Sequence, residues 1–199
     1  MNIVFRVDSN KEIGAGHSMR CIALAEEFLK NRCRVIFISR KNLDFVKNKI
    51  EEEGIILESL KAESILEEIS EVNRILKKYR IDLIILDGYN FGYNYQKDLK
   101  KCNIKIVYIT DFGGKYFCDI VICPTPGLHK KNFVSEIETK YLLGSKNIFL
   151  RNEILNFKSS KKDKDTFKIL ISFGAGFYDK KIIEKFIYAL EKNINGAEV

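Results

Sequence analysis

The chain of 199 residues is 46% hydrophobic and 31% charged, the composition of a globular protein with a core to bury and not of a disordered or fibrous one. The longest apolar runs, such as Ile81–Leu86 with Asp82 inside it, fall far short of the roughly 20 residues of a membrane span, and the N-terminus shows no signal-peptide pattern, so a cytoplasmic protein without membrane association is expected. The net charge of +7 arises from lysines spread along helix faces and offset locally by glutamates, so it reads as a solvated basic surface; the charge admits nucleic acid and is equally compatible with anionic phosphorylated ligands, but no nucleic-acid partner is expected.

The first element is a short apolar strand, Ile3–Val7. It runs at once into a glycine turn, Gly14-Ala15-Gly16, followed by His17 and a helix. Glycines let the backbone turn sharply and approach a ligand, while the first amides of a helix present unpaired N–H groups to anions. An imidazole at such a turn is placed for proton transfer on a phosphorylated small molecule; the competing reading is that His17 merely packs at the helix start. Gly14 and Gly16 do not form a dinucleotide fingerprint, because Met19 stands where the third glycine belongs, and no phosphate-loop lysine follows.

Arg6 and Asp8 are two residues apart and so share one face of the strand as it ends. They read either as an ion pair that fixes the loop or as direct ligand contacts. Arg20, three residues after His17, lies on the same side of the helix and could hold a phosphate or a carboxylate beside the imidazole.

Further strands are expected at Arg34–Ser39, Ile55–Leu57, Leu83–Leu86, Ile104–Ile109 and Ile120–Cys123, rich in Ile and Val and with little alternation, as for strands buried on both faces. Between them Met19, Ile22, Ala23, Phe28 and Leu29 recur at helical spacing, as do Ile65, Leu66, Ile69, Val72, Leu76 and Tyr79. Gly54, after Glu51-Glu52-Glu53, reads as a left-handed helix stop. The alternation predicts an α/β domain with a Rossmann-like parallel sheet, whose ligands bind beyond the carboxyl ends of the strands. Asp87 and Asp111 directly follow two of those strands, and Tyr89 follows Asp87. All three are expected to rim the same crevice as His17, although aspartates after strands also serve as turn and cap residues.

His129, between prolines and lysines, reads as a solvated loop histidine. Five cysteines, at 21, 33, 102, 118 and 123, form no C-x-x-C pair and read as reduced thiols, so neither disulfides nor zinc are expected. Residues 158–166 lose apolar periodicity and read as a linker. Asp163-Lys164-Asp165 imitates a metal-holding D-x-D, but its place in that linker argues against a metal site. Beyond it a strand at Phe167–Ser172, a second glycine turn at Gly174 and Gly176, and a helix from about Lys180 to Asn193 open a second unit. The expected organisation is a domain over 1–157, a linker over 158–166, and over 167–199 either the incomplete start of a C-terminal domain, completed by a continuation or a partner domain, or a short C-terminal unit docked on the first.

The run Phe5-Arg6-Val7-Asp8, then Ile13 through Cys21, then Leu24-Ala25 resembles the opening signature of the pseudaminic-acid pathway hydrolases and the related spore-coat polysaccharide proteins. The resemblance continues through Asp87, Tyr89, Asp111, Cys118-Asp119, Leu150-Arg151 and Glu153. It implies a GT-B type fold of two Rossmann-like domains with a UDP-sugar between them, hydrolysis at the anomeric carbon without a metal or other cofactor, His17 as general base and Tyr89 in the sugar pocket. It also implies that residues 167–199 begin a nucleotide-binding domain, with Gly174 near the phosphates. Arg6, Asp8, Gly14, Gly16, Arg20, Asp87 and Asp111 complete the expected substrate contacts. Two departures stand out: Gly174-Ala175-Gly176-Phe177 replaces the family's Gly-Gly-Ser/Thr-Asp, and Cys123-Pro124 stands where an asparagine is common. A GT-B glycosyltransferase and a non-catalytic sugar-nucleotide-binding domain are the alternative readings.

Overall fold

A computed structural model describes residues 1–157 and 179–193. The expected strand over Phe167–Ser172, the turn at Gly174 and Gly176, the linker and Asp163-Lys164-Asp165 lie outside the described residues.

Seven parallel strands form the central sheet. In chain order the elements are β1 (Asn2–Val7), α1 (Gly16–Lys30), β2 (Arg34–Ser39), α2 (Asp44–Glu52), β3 (Ile56–Ser59), α3 (Ile65–Tyr79), β4 (Leu83–Asp87), α4 (Tyr93–Lys100), β5 (Lys105–Ile109), β6 (Gly114–Tyr116), β7 (Ile120–Cys123), β8 (Phe133–Ser135), β9 (Lys140–Leu143), α5 (Asn152–Leu155) and α6 (Lys180–Asn193). The sheet order is β3-β2-β1-β4-β5-β7-β9, and β6 pairs with β8 in a small separate sheet. Chain order reverses between β1 and β4, which are hydrogen-bonded neighbours. That junction is the switch point at which open parallel sheets leave a crevice for ligands.

The central strands lack alternation because both faces are covered. From β1, Ile3, Phe5 and Val7 pack with Cys21, Ile22 and Ala25 of α1 and with Val46 and Ile50 of α2. Val4 faces the other layer, with Val72, Ile75 and Leu76 of α3 and Leu99 of α4. The outer strand β3 is only partly buried, so the expectation of two buried faces fails at that edge. The strand expected at Ile55–Leu57 is shifted to Ile56–Ser59, and Asp87 is the last paired residue of β4 and not the first residue after it. The helix α4 and the short strands β6, β8 and β9 were not expected.

The helix α3 begins on a capping box, with the Glu67 amide donating to Ser64 Oγ at 3.3 Å and the Ser64 amide donating to Glu67 Oε2 at 3.2 Å. Its apolar stripe is buried at Val72, Ile75 and Leu76, but Ile65 and Leu66 at its start are exposed and Glu68 is buried in their stead. Gly54 takes φ +69 just past α2, as expected of a left-handed stop. Among the described residues no helix is long and apolar enough to cross a membrane.

Candidate functional site at the carboxyl edge of the sheet

The site grows from the two strands that flank the switch point. Alternation along β4 turns Ile84 and Leu86 toward α3 and α4, and Ile85 toward α1, so Asp87, at the next position of that parity, meets α1. There its carboxylate is fully buried and multiply bonded. The His17 Nδ1–H donates to Asp87 Oδ1 at 2.6 Å. Arg20 donates from Nε to Asp87 Oδ2 at 2.5 Å and from Nη2 to Oδ1 at 2.7 Å. The Cys21 thiol adds a longer contact to Oδ2 at 3.5 Å. The third nitrogen of Arg20, Nη1, reaches Asp111 Oδ1 at 2.7 Å, so one guanidinium ties the ends of β4 and β5 together.

This geometry assigns the histidine tautomer. A lone pair on Nδ1 at 2.6 Å from a carboxylate oxygen would be repulsive, so Nδ1 carries the proton. Arg20 Nη2 lies 3.1 Å from the same nitrogen, but guanidinium only donates, and it spends its proton on Asp87. The other ring nitrogen, Nε2, has no hydrogen-bond partner among the described residues and remains as the acceptor. Burial works against the Arg20 charge, yet the hydrogen bonds and charges of Asp87 and Asp111 outweigh it and hold the guanidinium firmly protonated. Burial and the nearby Asp87 carboxylate push the Cys21 thiol upward, so it stays neutral beside the cluster.

His17 is the second residue of α1. The first intrahelical bond at this end runs from the Met19 amide to the Ala15 carbonyl at 2.9 Å, which leaves the amides of residues 16 to 18 without helical partners. The Ser18 hydroxyl is buried and unpartnered as well. Of the two glycines in the turn, Gly14 adopts φ +78 and so needs to be glycine. Gly16 does not have a positive φ, and a methyl group built on it meets nothing within 4 Å. The backbone therefore requires Gly14 but not Gly16, a correction to the reading that both glycines serve the turn.

A cavity of about 70 Å³ opens over the imidazole, lined by Asp8, Ile13, His17, Asp87, Tyr89 and Phe91 among others. The Tyr89 ring stands edge-on to His17 at 4.9 Å between centroids, and Phe112 lies 5.9 Å beyond Tyr89. Both rings are largely exposed. The Phe112 backbone is nonetheless pinned, its carbonyl accepting from Tyr116 and Thr110 and its amide donating to Thr110.

Across the strand ends, on the α3 side, lies a second cavity of about 250 Å³, lined by Arg6, Asp8, Arg40, Ile65, Glu68, Asn90, Phe91 and Tyr95. Arg6 is 1% exposed. Its Nε donates to Glu68 Oε1 at 2.8 Å, and its Nη1 sits 2.8 Å from Asp8 Oδ1 without the alignment of a hydrogen bond. Glu68 is completed by the Tyr95 hydroxyl at 2.9 Å and by Arg40 Nη2 at 2.5 Å. Burial opposes the Arg6 charge, but Asp8 and Glu68 more than compensate. Arg6 and Asp8 are thus an ion pair and also cavity walls, so the two sequence readings coexist.

The expected residues His17, Arg20, Asp87, Asp111, Tyr89, Asp8, Arg6, Gly14 and Gly16 all fall along one edge of the sheet, while Gly174 lies outside the described residues. Sequence reasoning missed Arg40, Glu68, Asn90, Phe91, Tyr95 and Phe112. Arg40 directly follows β2 and was open to the rule that singled out Asp87 and Asp111; Glu68 sits inside a helix and has no local signal. His129 is exposed, as expected. Among the described residues no three His, Cys, Asp or Glu side chains gather as a metal-ligand set.

The fold is an α/β domain with a parallel sheet, matching glycosyltransferases of the GT-B type. No family model matches the sequence. It is 28% identical over 123 residues to the UDP-2,4-diacetamido-2,4,6-trideoxy-β-L-altropyranose hydrolase of Campylobacter jejuni, an alignment covering 61% of this chain and 41% of that protein. An uncharacterized protein of Methanocaldococcus jannaschii is 32% identical over 186 residues, 87% of this chain and 37% of the relative. The chain therefore spans about two fifths of the length of the curated relatives it matches. Among solved structures, a glycosyltransferase from Rickettsia africae aligns with a TM-score of 0.52 at 14% identity over 67% of this chain and 42% of that one. MurG of Acinetobacter baumannii aligns with a TM-score of 0.50 at 12% identity over 69% of this chain and 44% of that one. The chain is thus a distant homologue of a UDP-sugar hydrolase with the fold of the glycosyltransferases.

Proposed function

We propose that this chain carries the base-bearing half of an enzyme that hydrolyses a UDP-linked amino sugar at its anomeric carbon. The observation that carries the reading is the buried Asp87 carboxylate at the switch point, fixing His17 so that Nε2 is the accepting nitrogen above a small cavity. In the proposed reaction Nε2 takes a proton from water as the oxygen attacks the anomeric carbon. The bond from that carbon to the diphosphate oxygen breaks with its electron pair on UDP, and the imidazolium returns its proton to solvent. Asp87 keeps Nδ1–H in place and stabilises the imidazolium, the role a carboxylate plays behind a catalytic histidine. The unpaired α1 amides offer N–H groups, and Gly16 offers room, to the departing diphosphate, while Arg20 stays paired with Asp87 and Asp111 and holds the carboxylate that positions His17. Tyr89 borders the sugar. Residues 158–166 link this domain to a second α/β unit that begins at 167, and that unit, with Gly174 in its first turn, supplies the remaining nucleotide contacts.

The test is UDP release from the substrate named for the Campylobacter jejuni relative, with no acceptor added. His17→Asn is expected to lower the rate about 10²–10⁴-fold, the range for loss of a placed base, in a protein that still folds and unfolds cooperatively. Turnover within a few-fold of wild type in that variant removes the base role. A second reading, a glycosyltransferase whose His17 deprotonates an acceptor hydroxyl, is favoured by the structural likeness to glycosyltransferases; release of UDP only when an acceptor is present selects it.

A further inference from the structure

The larger cavity on the α3 side has no part in the proton transfer, yet four charges line its wall, two of them, Arg6 and Glu68, buried. A strand interior facing a helix layer is ordinarily apolar, and burying Arg6 and Glu68 there is expensive even when they are paired. Replacement of both by leucine-like residues would satisfy the fold as well. Asp8, Asn90 and Phe91 line both cavities, so the two lie side by side along the carboxyl edge between His17 and Arg40.

The lining defines the chemistry of the occupant. Arg6 and Arg40 balance Asp8 and Glu68, so the formal charge of the wall is zero and a further anion would be left uncompensated. Arg40 is partly exposed, and only one of its contacts, to Glu68 Oε2, is spent. Asp8 is 15% exposed in its side chain and can accept, and Asn90 can both donate and accept. Phe91 and Ile65 supply apolar surface on the same cavity. Donors, acceptors and a C–H-facing apolar patch with no net charge are the recognition set of an uncharged, hydroxyl- or amide-bearing ring.

We infer that the Arg40–Glu68–Asp8 cavity is the sugar subsite, selective for an uncharged sugar over an acidic one. This deepens the proposed function and rests on it, and it makes Arg40 and Ile65 specificity residues and not catalytic ones. Ile65, 56% exposed at the start of α3, can be enlarged into the cavity without entering the core.

The test titrates UDP, UDP-glucose and UDP-glucuronate into the wild-type chain, Ile65→Trp and Arg40→Gln by calorimetry, with unfolding midpoints measured alongside. The expected result is a sugar advantage of UDP-glucose over UDP of about tenfold, the worth of one or two hydrogen bonds with their apolar contacts. That advantage falls to near unity in both variants while UDP affinity stays unchanged, and UDP-glucuronate binds more weakly than UDP-glucose. Should Ile65→Trp fail to fold, Arg40→Gln decides alone. A sugar advantage that survives the substitutions, no advantage in the wild type, or a preference for UDP-glucuronate overturns the subsite while leaving UDP recognition standing. Failure of the wild type to bind any of the three overturns the subsite, while the functional reading stands or falls separately on the rate of UDP release by His17→Asn.

Discussion

Asp87→Asn removes a charge on which three side chains depend, and its cost can be worked out from the cluster itself. Asp87 is 0% exposed and accepts two bonds from Arg20 and one from His17. Breaking a buried pair by neutralising one partner leaves the other charge uncompensated and typically costs about 3–5 kcal/mol. Arg20 retains Asp111, on a side chain 32% exposed, which offsets part of that loss and points to the lower end, about 3 kcal/mol. Against a total stability of roughly 5–15 kcal/mol this is large. For a domain of this size it corresponds to a fall in midpoint of about 6–12 °C. Arg20→Met alone leaves the buried carboxylate with His17 and Cys21 only and should cost a similar amount. The double variant removes both charges, so its cost should fall short of the sum of the singles by about 1.5 kcal/mol or more. Urea unfolding followed by circular dichroism on all four proteins measures the cycle. Additivity within about 0.5 kcal/mol, or a single-variant cost below about 1 kcal/mol, would refute the claim that one buried charge organises the site.

The remaining predictions use the same physics elsewhere. Gly14→Ala forces a side chain into φ +78 and should cost about 1–2 kcal/mol, whereas Gly16→Ala should leave stability unchanged or slightly raised and, if the diphosphate approaches that turn, weaken UDP binding. Parallel melts and UDP titrations of the two variants separate the roles. Gly113→Ala should destabilise by about 1–3 kcal/mol in urea unfolding, because its new methyl group would lie 2.6 Å from the Asn132 carbonyl oxygen. Burial first, then Asp119, raises the Cys118 thiol from 9.0 to about 12. The folded chain therefore holds that proton where the unfolded chain has lost it, stability falls as pH climbs from about 9 toward 12, and alkylation of Cys118 at pH 8 should follow unfolding, which mass spectrometry of labelled peptides can read.

The parallel sheet was legible because its strands are continuous apolar runs separated by helical stripes, and the crevice residues were legible because strand ends in such sheets point to one edge. Asp87 and Asp111 stood out by position alone. What the sequence hid was reciprocity across layers. The α3 pattern nominates Ile65 and Leu66 for burial, but Arg6 projects from β1 into that layer and draws Glu68 inward, so the first turn of α3 swings its apolar pair toward solvent. Periodicity within one helix carries no information about a charge contributed by a strand some sixty residues earlier. The edge strand β9 and the short pair β6 and β8 escaped for a related reason: three or four residues are too few for a period, and their pairing is decided by neighbours distant in sequence.

The two buried charge clusters share a logic. Each lies on one side of the β1–β4 junction, Asp87 with Arg20 and His17 toward α1, Arg6 with Glu68 and Arg40 toward α3, and each costs stability that an apolar core would not. A fold that needed only to pack would have placed leucine and valine at positions 6 and 87, as it did at positions 4 and 86. Buried charge is retained where it is used, and Asp8 lines both cavities, in an ion pair with Arg6 and accepting from the Arg40 amide at 2.7 Å. Asp8→Asn should therefore loosen both compartments at once: it weakens the hold on Arg6 and frees the loop after β2, while the His17–Asp87 bond, which Asp8 does not touch, survives. Nitrogen-15 spectra of the imidazole read that distinction directly. An Asp8→Asn chain that loses the Nδ1–H tautomer of His17 would mean that the clusters are one network and not two.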